Sequence, residues 1–202
     1  MEFSETVRRR HMVRSFAPTP VDPAVVDRIV LQALRSPTAG NSGGTAWVVL
    51  EGPEQTSRYF DATTDEAWRS EHPQWNAGLR RAPVVLLAYA SADVYVERYA
   101  EPDKAAAGLG EGRAQWPVPY WTGDAAFGVM TALLGAVDEG LGACVLGAFR
   151  GEAALGRVLG VPEDWTLFCA VVLGHPDGGD RRSPSLDRPL PALATRLHRG
   201  RW

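Results

Sequence analysis

The chain has 202 residues, 45% of them hydrophobic and 22% charged, which suits one domain with a substantial core and excludes a disordered or fibrous protein. Lys and Arg number 21 against 24 Asp and Glu, a net charge of -3 that excludes a globally basic nucleic-acid binder. No apolar stretch approaches the roughly 18 residues that cross a bilayer, and Cys144 and Cys169 sit in apolar runs as buried free thiols, so a reducing cytoplasm is the expected compartment.

Both ends of this acidic chain are basic. Arg8, Arg9, Arg10, His11 and Arg14 lie near the start, and Arg181, Arg182, Arg188, Arg196, Arg199 and Arg201 near the end. Each cluster alone reads as a solvated surface, but two that meet could hold one anion. Asp22-Pro23 is an N-cap followed by proline at the first helical position, and Val26, Ile29, Val30, Ala33 and Leu34 recur with helical period until Ser36-Pro37. TAGNSGGTA is a loop, WVVLEG a short strand ended by Gly52-Pro53, and residues 64–81 a charged amphipathic segment. PVVLLAYA is an unbroken apolar run, the mark of a strand buried on both faces.

Residues 91–121 form an aromatic-rich excursion with short helical pieces, inserted into what reads as one domain over 1–202. Thr122 can cap a long helix whose apolar face is Phe127, Met130, Leu133, Leu134 and Val137, with Gly123, Gly128 and Gly135 allowing a neighbour to approach. ACVLG, EAALGRVLGV and TLFCAVVLG then read as strand, helix and strand, followed by a polar loop and a basic tail.

Two motifs fail on context. Gly40-Asn41-Ser42-Gly43-Gly44 fits G-x-S-x-G, but a nucleophile elbow needs a strand before the serine and a helix after it, and here the order is reversed. His11, His72, His175 and His198 are isolated and the cysteines lie far apart, so no metal site is expected. What remains is a constellation: Arg10, His11 and Arg14 ahead of the first long helix, a Thr38-Ala39-Gly40-Asn41 loop, and Val145-Leu146-Gly147-Ala148, with arginines returning at 182 and 188. Guanidinium forks for phosphate, amides and hydroxyls for heteroatoms, and glycine where backbone meets a ring suit a phosphorylated planar ligand such as FMN.

Through RRRHMVRSFAPTPVDPAVVDRIVLQALRSPTAGN, DEGLGACVLGAF and the closing AVVLGHP with its Arg-rich loop and R-P-L, the chain resembles the nitroreductase family of flavoproteins. The resemblance implies an α+β fold, with a mixed, mainly antiparallel sheet flanked by helices, in an intertwined homodimer with FMN at the subunit interface. It implies an FMN-dependent oxidoreductase that takes two electrons from NADH or NADPH by a ping-pong route and passes them from flavin N5 to a nitroaromatic, quinone or similar acceptor. A non-catalytic flavin-binding or sensing dimer is the alternative. By the same resemblance Arg10, His11, Met12 and Arg14 hold the phosphate, ribityl and pyrimidine end. Pro37, Thr38, Ala39 and Asn41 come from the partner subunit, Val145, Leu146, Gly147 and Ala148 lie along the isoalloxazine, and Arg182 or Arg188 completes the phosphate site.

No side chain is required as nucleophile, acid or base, and no membrane or nucleic-acid partner is implied. Trp116, Tyr120 and Trp121 are the candidates for an acceptor pocket or lid. Three departures stand out: Met12 replaces the family's usual serine, Gly43-Gly44-Thr45 its usual Gln-Pro, and Gly147 the glutamate of some bacterial members.

Overall fold

A computed structural model describes residues 1–181 and 183–202. Arg182 therefore lies outside the described residues. The elements run α1 (Phe3–Arg9), α2 (Pro23–Leu34), β1 (Thr45–Glu51), α3 (Gly52–Thr63), α4 (Glu66–Glu71), α5 (Pro73–Arg80), β2 (Val84–Ala90), α6 (Ala92–Ala100), α7 (Tyr120–Asp138), β3 (Gly142–Leu146), α8 (Glu152–Leu159) and β4 (Thr166–Gly174). The four strands form one antiparallel sheet in the order β1-β2-β4-β3. Its parallel component comes from the segment after α1: Met12 bridges Ala143 in parallel, and the Val13 N–H donates to the Ala143 carbonyl at 2.9 Å.

Every residue of β2 is buried, as its sequence requires. Because strand side chains alternate, Val84, Leu86 and Ala88 face one way with Cys169, Val171 and Leu173 of β4, under α2 and α7. Val85, Leu87 and Tyr89 face the other way with Cys144, Ala170 and Val172, under α3, α5 and α8. The result is an α+β fold of helices on both sides of a sheet.

Helix α2 starts where expected, with the Asp22 carboxylate accepting from the Ala24 N–H at 2.9 Å. Helix α3 is an element that the sequence reading does not contain. Gly52 and Pro53 do end a strand, but Gly52 at φ 75° turns the chain straight into a helix with Pro53 in its first turn. The segment at 64–81 divides into α4 and α5, joined at His72, with Asp65 capping α4 through the Trp68 N–H at 2.8 Å.

Helix α7 requires two corrections. It begins at Tyr120, so Thr122 lies within the first turn rather than at the cap. Its inward face is made of Ala125, Gly128, Val129, Ala132, Leu133, Gly135 and Ala136, whereas Phe127 and Met130 are 53% and 41% exposed. The physical cause is the approach of α2. A Cβ on Gly128 would stand 3.5 Å from the Ala33 carbonyl of α2 and 3.3 Å from the Trp47 ring of β1, and one on Gly135 would stand 2.6 Å from Gln32 Oε1 of α2, so small residues fill the seam and large ones turn outward. Gly123 has open space and takes no part.

Candidate functional site

The segments flagged at opposite ends of the chain meet at the β3 edge. After Met12 bridges Ala143, Phe16 bridges Pro176 and Ala17 N–H donates to the His175 carbonyl at 2.8 Å, so residues 12–17 lie between β3 and the loop that leaves β4. The Arg14 N–H donates to Asp180 Oδ2 at 3.1 Å, and the Ser15 hydroxyl to Asp177 Oδ2 at 3.0 Å. The Arg81 guanidinium ties into the same knot through the Phe16 carbonyl, Ser15 Oγ and Asp177. Asp177 is held below the usual carboxylate range, first by the Gly179 N–H and then by the Ser15 hydroxyl.

Two adjoining cavities share Arg14 and Trp75. The larger, about 410 Å³, has Arg14 and Cys144–Gly147 on one side. Facing them are Tyr59, Phe60 and Thr63 of α3, with Trp68, Trp75 and Leu79 of α4 and α5. The smaller, about 320 Å³, brings together Arg14, Arg81 and Arg181 with Asp177 and Asp180. The N-terminal and C-terminal basic clusters thus converge through Arg14 and Arg181. The Arg14 guanidinium lies over the Trp75 ring at 5.3 Å, a cation–π contact, and also donates to the Met12 carbonyl at 3.4 Å.

Four of the residues singled out in the sequence, Arg14, Val145, Leu146 and Gly147, line the larger cavity. Met12 is pinned by its bridge, Arg10 is half-buried, and His11 is exposed with its Nδ1 2.9 Å from the Arg9 carbonyl. Ala148 packs against the core under α3 and α8. Pro37, Thr38, Ala39 and Asn41 line neither cavity of this chain: Pro37 borders a separate opening beside Phe127 and Met130. Arg188 follows an exposed turn at Pro184–Asp187. Trp116, Tyr120 and Trp121 pack on one another and on Tyr95, with the Trp116 indole N–H donating to the Leu109 carbonyl at 3.0 Å, so within one chain they form their own cluster.

The cavity also uses residues that the sequence reading passed over. Trp68 and Trp75 line it, with the His72 ring stacked between them at centroid distances of 5.2 and 6.1 Å, and the closeness of the three rings along the sequence was the available signal. Phe149, 95% exposed, stands at the mouth, and Arg150 pairs across it with Asp65. Burial pushes the Cys144 thiol up to about 11, with the nearby Arg14 charge opposing the shift, and pushes the Tyr59 phenol up to about 12. At neutral pH both are uncharged, and the cavity offers cations, ring faces and backbone rather than an acid–base pair.

The residues present fit a flavin. An aromatic slot stands beside an arginine-lined recess. Along the slot β3 ends at Leu146, and among the described residues no backbone N–H from Gly147 to Arg150 donates to a backbone carbonyl. The geometry agrees with setting the G-x-S-x-G match aside: Ser42 Oγ is buried and the serine leads into a strand rather than a helix. Among the described residues no group of histidine, cysteine and carboxylate side chains is placed to hold a metal, and no helix is long and apolar enough to cross a membrane.

The sequence model of the nitroreductase family matches residues 7–175. The chain belongs to the nitroreductase family. It is 28% identical over 210 aligned positions to a 5,6-dimethylbenzimidazole synthase of Rhodobacter capsulatus, covering 98% of this chain and 89% of that protein. Its fold is that of a nitroreductase family protein from Streptococcus pneumoniae, with a TM-score of 0.73 at 19% identity over 98% of this chain and 100% of the other. It is also that of the nitroreductase CinD from Lactococcus lactis, solved in complex with chloramphenicol, with a TM-score of 0.70 at 18% identity over 95% and 100%. Members of this oxidoreductase family are generally flavoproteins.

Proposed function

We propose that the protein is an FMN-dependent oxidoreductase that takes two electrons from NADH or NADPH and delivers them to a flat acceptor, a nitroaromatic or quinone. The observation that carries this reading is the meeting of Arg14 with Val145, Leu146 and Gly147 in one aromatic-walled cavity beside the Arg14, Arg81 and Arg181 recess. Bound FMN would supply reversible two-electron transfer at N5. The chain's own residues supply the rest.

Arg10, His11, Met12 and Arg14 would hold the phosphate, ribityl and pyrimidine end, with Arg182 or Arg188 at the phosphate. Val145, Leu146, Gly147 and Ala148 would lie along the ring, and Arg14 would place positive charge where reduction places negative charge. Met12 contributes backbone in place of the family's serine hydroxyl, and its bridge to Ala143 fixes that backbone. Burial keeps Cys144 and Tyr59 protonated at neutral pH, so neither adds a charge or a thiolate nucleophile to the cavity that the two substrates would share. Trp116, Tyr120 and Trp121 would reach an acceptor only across a subunit boundary, as would Pro37, Thr38, Ala39 and Asn41. A homodimer provides that boundary, and the outward apolar side chains Leu31, Leu34, Phe127 and Met130 form a face for it. Two reduced thiols agree with a cytoplasmic setting.

The test is the visible spectrum of the purified protein under nitrogen. Flavin bands that bleach with NADH or NADPH and return with a nitroaromatic or quinone are the expected result. Bands that never bleach would favour a non-catalytic flavin-binding dimer, and no bands after soaking with FMN would overturn the flavin reading. The kinship with the Rhodobacter protein supports a second reading, a synthase, which would show as 5,6-dimethylbenzimidazole formed from the reduced flavin once the same incubations are opened to air, with dioxygen as the oxidant.

A further inference from the structure

The loop at 38–42 is built as a presented surface. Gly40 at φ 64°, Asn41 at φ 54° and Gly43 at φ 67° place three left-handed residues within four positions, and Asn41 accepts that conformation without being glycine. The Thr38 hydroxyl oxygen accepts from the Gly43 N–H at 3.0 Å, closing the loop while leaving its own hydrogen to donate elsewhere. The Asn41 side chain is exposed. Such a backbone holds its shape only if something behind it does the holding.

The support comes from α6 and α7. The buried Asp124 carboxylate, in the second turn of α7, accepts through a single oxygen from the Ala39 N–H at 2.7 Å and from the Tyr95 phenol at 2.8 Å. Arg98 donates its Nε–H to the Gly40 carbonyl at 3.0 Å and is itself gripped by both oxygens of Asp103 at 2.7 Å. A Cβ on Gly40 would stand 2.7 Å from the Tyr99 ring, and a Cβ on Gly44 would collide with the Tyr95 ring. The Gly43-Gly44 pair, which departs from the family's Gln-Pro, is therefore matched to Tyr95: the tyrosine ring fills the volume that a side chain at 44 would need. Ser42 Oγ is sealed beside the same phenol.

We propose that Asp124 is a positioning residue for flavin binding: by holding the Ala39 N–H, with Tyr95 locking its carboxylate, it fixes Thr38 and Asn41 as a preformed donor surface for the flavin. This rests on the flavin reading above. It also gives the aromatic excursion a task, because Tyr95, Arg98 and Tyr99 all belong to α6 and all act on this loop. Asp124 touches no substrate. It acts through the backbone it holds.

The experiment compares wild type with Asp124→Ala, Asp124→Asn and Tyr95→Phe in two measurements on the full chain. The first is amide hydrogen exchange without added FMN, and the second is FMN titration followed by flavin fluorescence. In Asp124→Ala, exchange should accelerate in peptides covering 36–44 and nowhere in the sheet, and FMN should bind at least about tenfold more weakly, the weight of one charge-assisted hydrogen bond. Asp124→Asn should recover part of both effects, since its amide oxygen can still accept from Ala39. Tyr95→Phe, which keeps the ring against Gly44, should lie close to wild type in exchange and show a smaller loss in affinity.

Unchanged exchange and unchanged FMN affinity in Asp124→Ala would overturn the proposal, as would acceleration spread through α7 and the sheet. If Asp124→Ala does not fold, Asp124→Asn decides by the same two criteria. A wild-type chain that takes up no FMN would overturn the flavin reading and with it the binding half of this proposal, while exchange at Ala39 would still decide whether Asp124 holds the loop.

Discussion

Arg14 reaches its position because a glycine lets it. Gly78 of α5 lies directly beneath the Arg14 carbonyl, and a Cβ at 78 would strike that oxygen and come within 3.3 Å of Ser15 Cα. Neither partner is the far end of a flexible side chain, so Gly78→Ala must move the segment itself, at a cost of about 1–3 kcal/mol in urea denaturation. The expected consequence is a loss of bound flavin larger than in an equally destabilised variant remote from the cavity, such as Val26→Ala; equal losses would remove Gly78 from the site. Arg14, Leu146 and Gly147 were legible in the sequence because each sits in a short run whose residue types already suggest anion or ring binding. Asp124 was not, since its partner Ala39 is 85 positions away and nothing beside Asp124 in the chain marks it.

Elements were legible in proportion to how local their signals are. The strands β1 to β4, α2 and α8 follow from runs and caps that can be read within a dozen residues. Helix α3 was hidden because Gly52-Pro53 serves as strand end and helix start at once. The orientation of α7 was hidden because hydrophobicity alone points Phe127 and Met130 inward, whereas the closeness of α2 admits only small side chains there. The three glycines of α7 now separate into two kinds. Gly123→Ala, in open space within a helix, should raise stability by about 0.5–1 kcal/mol, whereas Gly128→Leu, against Trp47 and the Ala33 carbonyl, should lower it by about 1–3 kcal/mol. Thermal melts of the two variants moving in the same direction would contradict this assignment of the seam.

For the whole molecule, the buried acids set an alkaline limit. Burial pushes Cys144 up to about 11 and Cys169, Tyr59 and Tyr89 up to about 12. Each folded value exceeds its unfolded value, about 8.5 for cysteine and about 10 for tyrosine, so above these the unfolded chain has released protons that the folded chain still holds. The contribution of these groups is complete below about pH 8.5 and falls as pH rises toward the folded values, with the cysteines acting first. Denaturation midpoints measured from pH 7 to 11 should decline, and Cys144→Ser with Cys169→Ala should flatten the first part of that decline. A flat profile in the unaltered protein would show that these groups are less sequestered than the fold implies.

The place of β2 between β1 and β4 also governs how the protein comes into being. A ribosome delivers β1 and β2 long before β4, and Val84 finds its partner Leu173 only when nearly all of the sheet-forming chain has been made. Until then the most apolar strand of the molecule has one open edge, the condition under which nascent chains stick to one another or are taken up by chaperones. The same late closure seats residues 12–17 against β3 and the loop beyond β4, so the cavity forms with the last pairing of the sheet, and a folding intermediate that stops short of β4 would have no binding site to offer.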